Sequence, residues 1–162
     1  MTAIGVLRNR LRSNYPFTLA YRLRWADNDQ YGHLNNSVYN FLIDSVVNSY
    51  LIERCALKPA DPSNTDPIGL VVSSQCNYFS SLSFPQVVDL GLRVSKLGNS
   101  SVTYEVGFFA QGSNTVSAVG GFTHVFVHPE QRRPTTMVEA MRAGLTAIHN
   151  DLDAPYFPTA KL

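Results

Sequence analysis

From Phe17 the chain alternates strictly: Phe17, Leu19, Tyr21, Leu23 and Trp25 fall on one side, Thr18, Ala20, Arg22 and Arg24 on the other. A period of two predicts a half-buried strand. Between Ser37 and Cys55 the period becomes helical. Val38, Phe41, Leu42, Ser45, Ser49, Ile52 and Ala56 share one face, while Ile43, Val46, Val47, Tyr50 and Leu51 spread apolar surface over most of the remainder. A helix apolar on most sides is expected to be enclosed. Lys58 to Pro67 carries prolines with acids and amides in turn positions and reads as a loop. Four further strands are predicted at Ile68–Asn77, Val87–Leu97, Ser101–Ala110 and Val116–Val127, separated by Ser80 to Pro85, Gly98-Asn99 and Gln111 to Asn114. Val138, Met141, Leu145 and Ile148 predict a C-terminal amphipathic helix, and Ile4, Leu7 and Leu11 a short one over 2–12 that packs on the domain without belonging to its core. Strand, buried helix, then four strands joined mostly by short turns predicts an α+β fold, one antiparallel sheet around one helix.

Composition narrows the function classes. With 162 residues, 44% of them hydrophobic, the chain suits one domain over 1–162, with an N-terminal extension over 1–15 and a C-terminal helix and tail over 135–162. Thirteen Lys and Arg against twelve Asp and Glu give a formal charge of +1, without the broad basic field of a nucleic-acid or membrane-surface binder. No apolar run approaches the ~20 residues of a membrane span. Cys55 and Cys76 lack C-x-x-C spacing and read as buried thiols of a reducing compartment. A soluble, cytoplasmic protein is expected; the alternative is mitochondrial, because five arginines precede the first acid, Asp27.

The stretch Asp27 to Tyr39 places two carboxylates, a histidine and two asparagines between a strand and the start of the buried helix. First-turn amides of a helix have no intrahelical partner, and the macrodipole adds positive charge, so such a place can hold an oxyanion. Asn35 or Asn36 suits the N-cap, and a carboxylate just upstream could act as base or nucleophile. The same residues also serve as ordinary turn and capping groups, and both readings stand on the residues alone.

The run Trp25-Ala26-Asp27-Asn28-Asp29-Gln30-Tyr31-Gly32-His33-Leu34-Asn35-Asn36-Ser37-Val38-Tyr39 closely resembles the D-x-D-x-x-G-H-x-N-N-x-x-Y signature of 4-hydroxybenzoyl-CoA thioesterase-like proteins of the hotdog-fold superfamily. Leu97 to Tyr104 is similar to the family's L-G-x-S-S-x-x-Y hairpin, and Gly121 to Val127 through Arg132-Arg133-Pro134 to its last strand and exit. The resemblance implies a hotdog fold and an acyl-CoA thioesterase with no cofactor. It puts the catalytic carboxylate on Asp29 and the oxyanion amides near Asn36, with His33 in support and Tyr31, Asn35 and Tyr39 shaping the substrate pocket. One segment departs from the family pattern: Tyr78 to Asp89 lacks the expected basic residue and glycine.

Arg132 and Arg133, with Arg93 and Lys96, are the candidates for the phosphates of coenzyme A. His124 and His128 would stand ~13 Å apart on a strand, too far to share a metal ion, so no metal is expected. An unpaired sheet edge implies a homodimer or homotetramer. The competing readings are a hydratase or dehydratase on the same fold and a non-hydrolytic acyl-binding accessory protein.

Overall fold

A computed structural model describes residues 3–59, 61 and 63–152. Its elements are α1 (Ala3–Arg8), β1 (Phe17–Arg22), α2 (Asn36–Arg54), β2 (Ile68–Tyr78), β3 (Val87–Leu97), β4 (Ser101–Ala110), β5 (Val116–Val127) and α3 (Glu139–Ala147). Residues 1 and 2 and the tail from 153 lie outside the described residues. The strands form one antiparallel sheet in the order β1-β3-β4-β5-β2, curved around α2 in the α+β hotdog arrangement.

The helix α2 buries Tyr39, Leu42, Ile43, Val46, Val47, Tyr50 and Leu51, a three-and-four spacing that makes one stripe. It is not enclosed all round as expected: Phe41 and Ile52 are exposed, because only the stripe meets the sheet. Opposite it lie Val88, Leu90, Leu92 and Val94 of β3, Val102, Tyr104, Val106 and Phe108 of β4, and Ala118, Phe122 and Phe126 of β5. Met141, Leu145 and Ile148 of the C-terminal helix region close the same core.

The convex face of the sheet corrects the expectation for the N-terminal segment. Leu7 and Tyr15 are buried with Phe109, Val116 and Val119 in a second apolar layer, so this segment does belong to the core. Tyr15 lies across Gly91 and Gly107, paired residues of β3 and β4; a Cβ there would stand 2.7 and 2.6 Å from its side chain. Beside it Arg93 is fully buried, which removes it from the coenzyme A candidates. Its guanidinium donates to both Glu105 carboxylate oxygens at 2.9 and 2.7 Å and to Asn150 Oδ1 at 3.0 Å. Arg10 Nε and the Tyr15 hydroxyl also donate to Glu105, at 3.0 and 3.1 Å. Burial alone would raise the Glu105 carboxyl, but Arg93 and Arg10 outweigh it and hold the carboxyl below its ordinary value. Arg12 pairs with Asp89, so two of the N-terminal arginines are committed to the fold.

The first strand also ends earlier than alternation predicts. Leu23 keeps its inward position, but Asp27 accepts the Arg24 amide at 2.7 Å and the Arg24 guanidinium at 2.7 Å, folding Trp25–Asp27 into a single 3-10 turn. Trp25 is thereby rotated out of the core face to 79% exposure.

Candidate active site

The loop from Asp27 to Asn36 is shaped by its own polar groups. Asp27 is buried, and its hydrogen bonds to Arg24 hold its carboxyl below the ordinary value. Two residues on, Asp29 Oδ1 accepts the amides of Tyr31 at 2.8 Å and His33 at 3.1 Å. The Asp29 amide donates to the His33 carbonyl at 2.7 Å, and Gly32 takes the positive φ of 77° that this tight reversal requires. The carboxylate is thus gripped by one oxygen, and among the described residues nothing is bonded to Oδ2.

The loop is fastened to the fold at both ends. Asn35 donates its amide to the Asp27 carbonyl at 2.9 Å, and Leu34 donates to the Leu82 carbonyl at 2.7 Å. Asn35 is the N-cap of α2: its Oδ1 accepts the Ser37 amide at 3.0 Å, while the Val38 amide goes to the Asn35 carbonyl. That leaves the Asn36 N–H, among the described residues, without a protein acceptor at the positive end of a 19-residue helix.

Asp29, His33, Asn36 and Tyr39 line one cleft of about 310 Å³, completed by Leu34, Tyr78, Phe79, Ser80 and Ser81. Tyr39 is its buried wall, edge-on to Tyr78 and tilted on Phe108, with ring centroids 4.9 Å apart in each pair. Burial pushes both the Tyr39 and Tyr78 hydroxyls up to about 12, so the cleft offers neutral phenols beside the carboxylate. Cys76, half-buried beside Tyr78, is likewise raised by burial to about 11 and stays a thiol; it and the buried Cys55 are both free. A second cleft, of about 520 Å³ and bounded by Trp25, Asn28, Gln30, Gly32 and Phe84, shares Asp29 as a wall. The sequence does not single out Ser80 and Ser81 of the first cleft, or Trp25 and Phe84 of the second, as lining residues. For the two serines and Phe84 the signal available was the departure of the Tyr78–Asp89 segment from the family pattern.

Other expected residues stand apart from this cleft. Tyr31 contributes its amide to Asp29, but its side chain is 86% exposed and lines neither cleft beside Asp29. Asn35 acts through the cap. Arg132 and Arg133 are exposed on the turn after β5, near Val127, which pairs with Ile68. The cleft lies at the other end of the same strand pair, where Tyr78 meets Ala118, roughly 30 Å away along the strand. Lys96 is exposed on β3. His124 is buried among Tyr104, Phe122 and Phe126, and among the described residues its Nδ1 has no hydrogen-bond partner.

Among the described residues no helix is long and apolar enough to cross a membrane. No curated protein matches the chain significantly. Among solved structures, the PA5185 protein from Pseudomonas aeruginosa is similar at 44% identity, covering 90% of this chain and 98% of that one, with a TM-score of 0.81. Two more distant structures share the fold. The 1,4-dihydroxy-2-naphthoyl-CoA thioesterase Slr0204 from Synechocystis matches at 16% identity, covering 86% and 98% of the two chains, with a TM-score of 0.73. The SAV2348 protein from Staphylococcus aureus, solved in complex with CoA, matches at 15%, covering 90% and 95%, with a TM-score of 0.76. A sequence model of the thioesterase-like superfamily matches residues 23–145, and the chain belongs to that superfamily.

Proposed function

We propose that this protein hydrolyses an acyl-CoA to the free acid and coenzyme A, with Asp29 as the catalytic carboxylate. The observation that carries this is the pairing, in one cleft, of a carboxylate held by one oxygen with a helix-start amide that has no protein acceptor. The thioester carbonyl accepts from the Asn36 N–H, which favours negative charge on that oxygen as the carbonyl becomes tetrahedral. Asp29 Oδ2 either takes a proton from the water that attacks the carbonyl carbon, or attacks that carbon itself to give, once the thiolate has left, an acyl-aspartyl anhydride that water cleaves to the free acid and the Asp29 carboxylate. The thiolate then leaves with little need for an acid. His33 holds Asp29 through its amide and carbonyl and borders the same cleft.

The catalytic unit is proposed to be a homodimer. Edge strand β2 presents Leu70, Val71 and Tyr78 partly exposed along 11 residues, a long apolar edge of the kind that pairs with a second copy. Antiparallel self-pairing would lay the Ile68 end of one β2 beside the Tyr78 end of the other. The Arg132–Arg133 turn of one copy then approaches the Asp29 cleft of its partner, which gives these arginines a phosphate-binding role that a single chain denies them. Thiol release across short, aromatic and long acyl-CoAs tests the reaction: release by wild type and its loss in Asp29→Asn are expected, and binding without release would indicate an accessory acyl-binding protein. A stable monomer by sedimentation at micromolar concentration would overturn the dimer.

A further inference from the structure

The Tyr78–Ser81 wall of the cleft that holds Asn36 is supported from both faces of the sheet. Tyr78 pairs with Ala118 and turns inward onto Tyr39, whereas Phe79, the next residue, turns outward. There it packs against the layer of Leu7, Tyr15, Phe109, Val116 and Val119 on the convex face. Its amide and that of Ser80 both donate to the Ser117 carbonyl, at 2.8 and 3.0 Å. Beyond the exposed Ser80 and Ser81, Leu82 is buried in the main core. Among the described residues, Phe79 is the one side chain of the convex layer that belongs to a residue of this cleft. Leu7 and Tyr15 precede the region matched by the superfamily model, and the wall they reach through Phe79 begins the segment that departs from the family pattern.

We propose that the N-terminal segment, acting through Phe79, sets the position of this wall and with it how tightly the cleft grips its substrate; this rests on thioester hydrolysis at Asp29. The reacting groups are fixed independently of the layer. Asp29 is held by the Tyr31 and His33 amides, and the start of α2 by the Asn35 cap, all of them bonds within the loop and the first helical turn. The wall depends on packing instead. If the layer behind Phe79 is loosened, the Ser80–Ser81 stretch keeps only its anchors at the Ser117 carbonyl and at Leu82, and it shifts relative to a carboxylate that stays in place. Such a shift weakens the binding of substrate and transition state alike, which raises KM and spares kcat. Leu7 and Phe79 are therefore positioning residues.

Leu7 lines neither cleft beside Asp29, so Leu7→Ala reads the effect from a distance. Thiol release by this variant should show KM raised roughly three- to tenfold with kcat within about twofold of wild type. Phe79→Ala should do the same, and Phe79→Leu, which keeps an apolar side chain on the layer, should recover most of the wild-type KM. Leu145→Ala, an equally buried truncation in the main core, controls for lost stability and should leave KM unchanged. An unchanged KM in Leu7→Ala, an equal rise in Leu145→Ala, or a fall in kcat with KM unchanged would each overturn the proposal. Amide hydrogen exchange reads the wall apart from the reaction. Phe79 and Ser80 should exchange roughly tenfold faster in Leu7→Ala than in Leu145→Ala, while Tyr31 and His33 exchange alike in both. Equal rates at Phe79 and Ser80 in the two variants would overturn the proposal even where thiol is released. If Leu7→Ala does not fold, Leu7→Val takes its place with smaller effects in the same direction. Absence of thiol release from wild type breaks the proposed reaction, and the exchange comparison then decides the support of the wall by itself.

Discussion

The Arg10–Glu105–Arg93 group on the convex face and the Asp29 loop at the end of the sheet draw on the same kinds of side chain and use them in opposite ways. On the convex face each Glu105 oxygen is met by guanidinium or phenol donors, and the group is closed off from water. In the loop, Asp29 is held by two amides on one oxygen and left open to two clefts through the rest of the group. Charge that is fully paired stabilises a unique packing; charge that is anchored but incompletely paired is available to a substrate. Richness in polar residues therefore does not mark a site, and the pattern of pairing does.

The comparison can be broken at either end. Asp29→Asn keeps both amide bonds through its remaining oxygen, so turnover should fall about 10²–10⁴-fold while the urea midpoint scarcely moves. Near-normal turnover would remove Asp29 from the chemistry. Glu105→Gln should do the reverse. It leaves two buried guanidinium groups without a counter-charge, a loss of about 3–5 kcal/mol in denaturant unfolding, with activity per folded molecule unchanged.

His124 sharpens the contrast, being buried like Glu105 but, among the described residues, without a hydrogen-bond partner on Nδ1. Burial pushes it from its usual 6.5 down to about 4. The unfolded chain takes up this proton below about pH 6.5 and the folded chain only near 4, so stability is full above 6.5 and falls as the pH drops through that window. The loss should approach about 3 kcal/mol, and His124→Leu should flatten this acid limb. If the limb is unchanged in the variant, the depressed titration belongs elsewhere. The smallest effect is expected at Asn35→Ala, which removes the cap on Ser37 and should cost about 1 kcal/mol, read as a thermal midpoint lowered by a few degrees.

Much of the architecture was legible along the chain. The turn segments located β3, β4 and β5 at the residues where they occur, and β2 to within one residue, because clusters of Gly, Pro, Ser and Asn interrupt a strand wherever the chain must reverse. The Asp29 loop was legible through its resemblance to a family signature; its residues alone also fitted an ordinary capped turn. Trp25 was misplaced because alternation carries no information about where a strand stops, and the stop depends on the Asp27 to Arg24 bonds. The stripe on α2 was blurred because apolar residues also occupy its exposed side at Phe41 and Ile52.

What the sequence by itself determined is the local part: which segments are strands and helices, where the turns fall, and that a carboxylate, a histidine and a capping asparagine precede a long helix. Those features depend on neighbours within a few residues. Only the tertiary structure decided that Arg93 is buried beside Glu105, that Leu7 and Tyr15 complete a second apolar layer, that Arg132 and Arg133 lie a strand's length from Asp29, and that Asp29 separates two clefts. Each of these depends on which strands become neighbours, and the pairing of residues as distant as 10 and 105 is set by sheet order and not by spacing along the chain.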